Sequence, residues 1–79
     1  MANLHNIDAE VFEFEVLPNA KVTKKPIKEL KFPRDAVFGG IIRDGKALMS
    51  FGDFQIQSGD KAIVFCLPEA IHIVEDLFR

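Results

Sequence analysis

Apolar and polar positions alternate from Phe12 to Val16 in the segment EVFEFEVLP, residues 10–18. This period of two predicts a half-exposed β-strand, because successive side chains of a strand point to opposite faces of the sheet. The apolar face and the acidic face consist, respectively, of Phe12, Phe14 and Val16 and of Glu13 and Glu15. Pro18 ends the strand because proline has no N–H to donate to a neighbouring strand.

Prolines bound the next element, VTKKPIKELKFP, residues 22–33. Pro26 suits the first turn of a helix, where its missing N–H carries no cost. Ile27 and Leu30 are three residues apart and would share one face of such a turn. Pro33 prevents a long helix. The segment therefore predicts one or two helical turns that begin at Pro26.

Two apolar arms flank Asp44-Gly45 in AVFGGIIRDGKALMSF, residues 36–51. An Asp-Gly pair readily adopts the positive φ angles of a tight two-residue turn, so the segment predicts a β-hairpin. Gly39-Gly40, inside the first arm, predicts either a β-bulge or a close approach of two backbones.

Two Gly-Asp pairs lie on either side of a short extended segment, FQIQ, in FGDFQIQSGDK, residues 51–61. Paired aspartates can hold a metal ion or transfer protons, or they can simply form turns. Asp53 follows the hairpin and Asp60 precedes the next strand, where tight turns require Gly, Ser and Asp. The stretch supplies too few oxygen ligands for a metal and does not match the EF-hand loop. We therefore predict two turns and no metal site.

A nearly unbroken apolar run, KAIVFCL, residues 61–67, predicts a central strand that is covered on both faces. Pro68 then opens a C-terminal helix, PEAIHIVEDLFR. The apolar stripe of this helix comprises Ala70, Ile71, Val74, Leu77 and Phe78. Its polar face comprises His72, Glu75, Asp76 and Arg79.

These elements together predict an α+β domain. Its small, mostly antiparallel sheet would contain a strand, a hairpin and a central strand, with the short helix after the first strand and the C-terminal helix as a cap. We assign this domain to residues 10–79. Residues 1–9, MANLHNIDA, are polar and lack a clear period, so we expect a flexible lead-in there, of the kind found where a segment is cut from a longer protein.

The composition narrows the class of function. Eight Phe residues without any Trp or Tyr suit a dry core or a self-association surface. A net charge of −2 argues against a nucleic-acid partner. Five lysines between positions 21 and 31 form a local basic run, which we interpret as a solvated surface, not an anion site. No apolar run approaches the ~20 residues that span a bilayer, so we expect no membrane insertion.

No combination of residues predicts catalysis. Cys66, the single cysteine, cannot form an internal disulfide, and it lies in an apolar strand where burial would make the thiol inert. His5 falls in the lead-in, and His72 on the polar face of the terminal helix. Arg43 ends an apolar strand, and its guanidinium can fork onto a phosphate or onto a neighbouring carboxylate. Both alternatives stay open.

Taken in order, several segments resemble the C-terminal domain of TrkA-type potassium-uptake regulators, also called the RCK C-terminal domain. They are EVFEFEVLP, the proline-led KPIKEL, IIRDG, FGDFQIQSGDKAIVF and the closing VEDLF. The resemblance covers about residues 10–79. The family often has Pro-Arg before the first Gly-Asp pair, where this chain has Ser50-Phe51.

The resemblance implies a regulatory domain, not an enzyme, that forms a homodimer. Such domains belong to a cytoplasmic assembly at the inner face of the cell membrane, where the partner is a membrane-embedded potassium transporter subunit. Some members bind cyclic di-AMP between two C-terminal domains. By resemblance, Ile41 and Ile42 would contact adenine and Arg43 a phosphate. No metal and no other cofactor is implied, since the family's nucleotide site lies in a separate Rossmann-type domain.

Three alternatives remain open from the sequence. The same domain type also occurs in cation/proton antiporters, in amino-acid or dicarboxylate transporters and beside DNA-binding regulators. The domain could equally be a purely structural dimerisation module that binds no ligand. A small enzyme or a metal-binding protein would need a convergent polar pocket, which the sequence does not indicate.

Overall fold

The computed structural model describes residues 9–50 and 52–79. Its regular elements are β1 (Glu10–Glu15), β2 (Ala36–Arg43), β3 (Lys46–Leu48), β4 (Lys61–Cys66) and α1 (Ile71–Leu77). One-turn 3-10 helices cover Lys21–Thr23, Ile27–Glu29 and Pro68–Ala70. Apart from Ala9, the predicted lead-in lies outside the described residues, as do His5 and Phe51.

The four strands form one sheet in the order β1-β4-β2-β3, and every neighbouring pair is antiparallel. The predicted α+β fold, with a small antiparallel sheet and a C-terminal helix, is confirmed. The central position of β4, between β1 and β2, is also as predicted. The backbone of β4 is therefore hydrogen-bonded to a strand on each side.

The prediction that β4 is covered on both faces is wrong. Its inward residues Ala62, Val64 and Cys66 are fully buried, whereas Phe65 on the opposite face is 43% exposed and Ile63 is half-buried. The strand thus alternates in burial although it does not alternate in hydrophobicity. The physical reason is that the core residues of the helices and loops pack against one side of the sheet, so the chain has only two layers.

The core lies between the inner face of the sheet and α1. Its buried side chains include Val16, Val22, Ile41, Ile56, Val64, Val74 and Phe78. The ring of Phe78 stacks on Phe14 with a centroid distance of 5.1 Å and meets Phe32 edge-on at 6.2 Å. The terminal helix therefore buries the apolar stripe that the sequence predicts, and it closes the domain over β1.

The predicted hairpin between β2 and β3 is confirmed. Asp44 and Gly45 both have positive φ angles, 53° and 76°, which is the geometry that a tight Asp-Gly turn requires. The predicted bulge is confirmed as well, since the register of β2 against β4 shifts between Phe38 and Gly40. A Cβ at Gly39 would lie 3.0 Å from the Cε2 atom of Phe65, so a larger residue there would require the ring to shift by a few tenths of an ångström.

The predicted helical turn after Pro26 is a single 3-10 turn, Ile27–Glu29. Residues 54–57, FQIQ, belong to neither a helix nor a strand. They lie against this turn instead, where the N–H of Ile27 donates to the carbonyl oxygen of Phe54 at 3.0 Å. Ile56, from the same segment, is buried in the core. The loop between β3 and β4 is therefore part of the packed structure.

Candidate functional site

The three residues predicted to bind a ligand do not share one face of the sheet. Ile41 points into the core and is 1% exposed, beside Ala62 of β4. Ile42 points to the opposite face and is half-buried. Arg43 returns to the inner side, at the end of β2. The alternation of a strand causes this separation, and it leaves Ile42 and the guanidinium of Arg43 as the accessible groups.

Arg43 forms a forked ion pair with Asp60. Its Nε and Nη2 atoms donate to Oδ1 and Oδ2 of Asp60, each at 2.8 Å. The Nη2 atom also donates to the carbonyl oxygen of Gln55 at 3.2 Å, and the guanidinium carbon lies 5.1 Å from the centroid of the Phe54 ring. Of the two alternatives left open for this arginine, the structure shows the neighbouring carboxylate.

Asp60 is the buried member of this pair, with 2% of its surface exposed. Burial alone would raise the pKa of its carboxyl, but the hydrogen bonds from Arg43 and from the N–H of Gln57 outweigh that penalty and lower the pKa. The hydrogen bonds that Arg43 donates to Asp60 are the main cause that raises the pKa of Arg43. Both groups are therefore held in their charged forms.

The two Gly-Asp pairs play different roles. Asp53 lies in a turn and forms an exposed ion pair with Lys28, whose Nζ atom is 2.7 Å from Oδ1. Gly59 supplies a positive φ of 89° to the second turn, so both predicted turns are confirmed. Asp60, however, also anchors the loop to β2. The register of the sheet explains why Asp60 lies beside Arg43. Ile42 pairs with Lys61, and the next residues along the two antiparallel strands are Arg43 and Asp60.

The outer face of the sheet is the side that faces away from α1. Its first row runs across three strands, because Val11 of β1 and Val37 of β2 are both register partners of Phe65 in β4. The exposed fractions are 62% for Val11, 43% for Phe65 and 63% for Val37. Single exposed apolar residues are ordinary, but three in one continuous row form a patch.

Two further rows complete the outer face of the sheet. Glu13, Ile63 and the Gly39-Gly40 bulge make the second, and Glu15, Lys61, Ile42 and Ala47 make the third. The face therefore changes from apolar at one end to charged at the other. Ile42, one of the predicted ligand residues, belongs to it.

The thiol is buried and the basic run is exposed, as the sequence predicts. Cys66 is fully buried, and burial raises the pKa of its thiol. The five lysines are all exposed, and several of them surround a shallow depression of about 360 Å³. Lys21 and Lys28 form surface ion pairs with Asp76 and Asp53. These contacts are those of a solvated basic surface.

Metal-ligating residues do not converge in the part of the chain that the structure describes, where no three His, Cys, Asp or Glu side chains form a group that could hold an ion. Over the same residues, no helix is long and apolar enough to cross a membrane.

Comparisons with known proteins point to one family. Residues 11–79 match the family model described as the TrkA-C domain. The chain is 32% identical, over its whole length, to the Trk system potassium uptake protein TrkA homolog 2 of Methanosarcina mazei. It is 34% identical over 81% of its length to the TrkA homolog of Archaeoglobus fulgidus, and 27% identical over 89% to TrkA of Azorhizobium caulinodans.

The same fold occurs in a solved structure described as "Structure of RCK domain with cda". The match has a TM-score of 0.72 and 23% identity, and it covers 87% of this chain and 97% of that one. The chain spans only 18% of the length of the Methanosarcina mazei relative and 15% of the Archaeoglobus fulgidus relative. Because the family model covers nearly all of the chain, this protein belongs to the TrkA-C domain family.

Proposed function

We propose that this TrkA-C domain is a regulatory, dimerising module of a Trk/Ktr-type potassium-uptake system. The observation that carries the proposal is the match over residues 11–79, together with relatives that are named Trk system potassium uptake proteins. A regulatory role in place of a catalytic one is supported by Cys66, a buried thiol whose pKa is raised and which is therefore unsuited to nucleophilic attack.

In this proposal the domain works on the cytoplasmic side of the cell membrane, as a homodimer within an assembly that contacts a membrane-embedded potassium transporter subunit. The domain would act by changing the relative populations of two conformations of the assembly. A ligand shifts such an equilibrium only as far as its affinities for the two conformations differ. A ligand site shared between two copies would meet that requirement, because it is complete in only one arrangement.

Cyclic di-AMP is the ligand that we propose for this module. The RCK-domain relative was solved "with cda", and the fold of the two chains is the same. In this chain, Ile42 offers an apolar contact on the outer face of the sheet. Arg43 uses Nε and Nη2 for Asp60, so Nη1 is the donor that would reach a phosphate. Ile41 would act indirectly, by packing beneath Ile42 in the core.

The experiment that tests the function measures rubidium uptake, as a tracer for potassium, in cells that make the protein carrying this chain. We expect removal of residues 10–79 to change the rate of uptake or to abolish its response to cyclic di-AMP. A matched control carries Ile73→Lys, an exposed position on α1, and should behave as wild type. Uptake that is the same with and without residues 10–79 would contradict the proposed function.

A further inference from the structure

A cavity of about 290 Å³ lies along the free edge of β1, and three consecutive residues of that strand line it, Glu13, Phe14 and Glu15. Consecutive side chains of a strand point to opposite faces of the sheet, so a cavity that touches all three lies against the edge of the strand. β4 pairs with one edge of β1, and within residues 9–50 and 52–79 no strand pairs with the other. The cavity therefore marks an open edge of the sheet.

The apolar residues that line this cavity are Phe14, Leu17 and Phe78. The two rings stack with a centroid distance of 5.1 Å, and Leu17 is 44% exposed. The backbone N–H of Leu17 donates to the carbonyl oxygen of Phe78 at 3.0 Å. This bond joins the end of β1 to the end of α1 and fixes the shape of the cavity between them.

The charged residues around the cavity are mostly acidic. Glu13 and Glu15 of β1 and Glu75 of α1 are exposed there. Arg79 also lines the cavity, but it forms an ion pair with Glu75 at 3.4 Å. Within the part of the chain that the structure describes, Glu13 and Glu15 form no ion pair, so the edge of β1 carries an excess of negative charge.

The two edges of the sheet differ in how open they are to a further strand. β3, at one edge, is three residues long and begins with Lys46. Short length and lysine are both features that discourage the addition of a strand. β1, at the other edge, pairs with β4 at six consecutive positions without a register shift, and it contains neither lysine nor proline. β1 is therefore the edge at which a further strand can add.

We propose that an extended segment of a partner protein, in which basic and apolar residues alternate, binds as an added strand at the free edge of β1. Its backbone would hydrogen-bond to that edge, as in other complexes formed by strand addition. Its basic side chains would lie beside Glu13 and Glu15 on one face. Its apolar side chains, on the other face, would enter the cavity beside Phe14. The interaction does not depend on the proposed function.

The charge of β1 favours such a partner over a second copy of this chain. Two copies of β1 could pair antiparallel around a two-fold axis centred on any of the three residues that line the cavity. The axis would set Glu13 opposite Glu13, Glu13 opposite Glu15, or Glu15 opposite Glu15, and like charges directly opposite each other destabilise a strand pair. A strand with lysine or arginine at these positions presents opposite charges instead.

Titration of the ¹⁵N-labelled 79-residue chain with a blocked peptide of alternating lysine and valine, as long as the six residues of β1, tests this surface by nuclear magnetic resonance. We expect amide shifts at residues 10–17 and at Phe78. Amide hydrogen exchange at every second residue of β1 should also slow at least threefold near saturation, because the added strand pairs with these groups. A control peptide that alternates glutamate and valine should cause neither change.

Variants of the chain test the role of the two glutamates. Glu13→Gln combined with Glu15→Gln should raise the dissociation constant of the lysine peptide at least fivefold. The matched control combines Glu29→Gln with Glu69→Gln, which remove the same charge at exposed positions outside the cavity. It should bind the peptide as wild type does. The amide spectrum of each variant shows whether it is folded.

Four outcomes would overturn the proposal. The first is the absence of shifts at millimolar lysine peptide, and the second is equal binding of the two peptides. The third is a set of shifts without slower exchange in β1, which would mean that the peptide contacts the acidic side chains and adds no strand. The fourth is exchange in β1 that already slows as the concentration of the free protein rises, which would mean that a second copy occupies this edge. None of these results depends on the uptake measurement.

Discussion

Arg43 and Asp60 hold the end of β2 to the beginning of β4 through two hydrogen bonds of 2.8 Å each. Asp60 also accepts the N–H of Gln57, and Arg43 donates to the carbonyl of Gln55. The pair therefore joins the sheet to the loop that delivers Ile56 to the core. It organises the same end of the sheet at which a ligand role is proposed for Ile42 and Arg43.

Replacement of Asp60 by asparagine should destabilise the domain strongly. The change leaves the guanidinium of Arg43 without its countercharge in a partly buried place, and such a loss costs about 2–4 kcal/mol. In a domain of this size, each kcal/mol lowers the melting midpoint by roughly 4–8 °C. Differential scanning calorimetry at neutral pH measures the change.

Asp53→Asn is the matched control for that variant, because it makes the same substitution in an ion pair whose carboxylate is 88% exposed. It should leave the melting midpoint nearly unchanged, since exposed pairs contribute little. Equal changes in the melting midpoint for the two substitutions would show that the buried ion pair stabilises the domain no more than the exposed pair.

The stability of the domain should fall in acid through Asp60. The pKa of Asp60 is lowered in the folded protein, whereas an aspartate in an unfolded chain titrates at about 3.9. The stabilisation by the ionised carboxylate is therefore complete above the unfolded pKa, and it is lost as the pH falls through the folded pKa.

Urea unfolding between about pH 7 and about pH 2 measures this loss. Wild type should lose more of its free energy of unfolding across the acid range than Asp60→Asn, which has no carboxyl at this position. Parallel curves for the two proteins would contradict the assignment of the acid sensitivity to Asp60.

Gly39→Ala should destabilise the sheet by about 1–3 kcal/mol, the usual cost of overpacking. The new Cβ would lie 3.0 Å from the ring of Phe65 and 3.2 Å from the backbone carbonyl oxygen of Ile63, and the carbonyl cannot move without disturbing β4. Chemical denaturation measures the free energy of unfolding.

A double-mutant cycle with Phe65→Leu isolates the ring contact of that glycine. If the ring carries part of the cost, the two changes together should destabilise less than the sum of the single changes. A neutral or stabilising effect of Gly39→Ala would contradict the prediction, because it would mean that the bulge accommodates the new Cβ without cost.

Cyclic di-AMP at ~100 times its dissociation constant should stabilise the domain by about 2.7 kcal/mol, which thermal shift detects. Ile42→Ala should weaken that effect without disturbing the ion pair. Asp60→Asn lowers the starting midpoint but keeps the guanidinium of Arg43, so its shift with ligand should persist. No shift in wild type, combined with no heat of binding by calorimetry, would overturn the ligand proposal.

The local elements followed from the sequence alone, because their causes lie within a few residues. The alternation around Phe12 and Phe14 forms a half-exposed strand, and Asp44-Gly45 adopts the positive φ angles of the hairpin turn. The apolar stripe of the terminal helix faces the core through Val74 and Phe78. The fold class followed in turn from the order of these elements.

Only the tertiary structure determined which apolar residues stay exposed to solvent and which charged residues form ion pairs. KAIVFCL is apolar on both faces, so its composition could not show that the chain supplies only one covering layer and leaves Phe65 exposed. Arg43 could fork onto a phosphate or a carboxylate, and the choice required a register that places Asp60 beside it across 17 residues of sequence. Burial and pairing depend on contacts distant in the chain, and a local pattern contains no record of them.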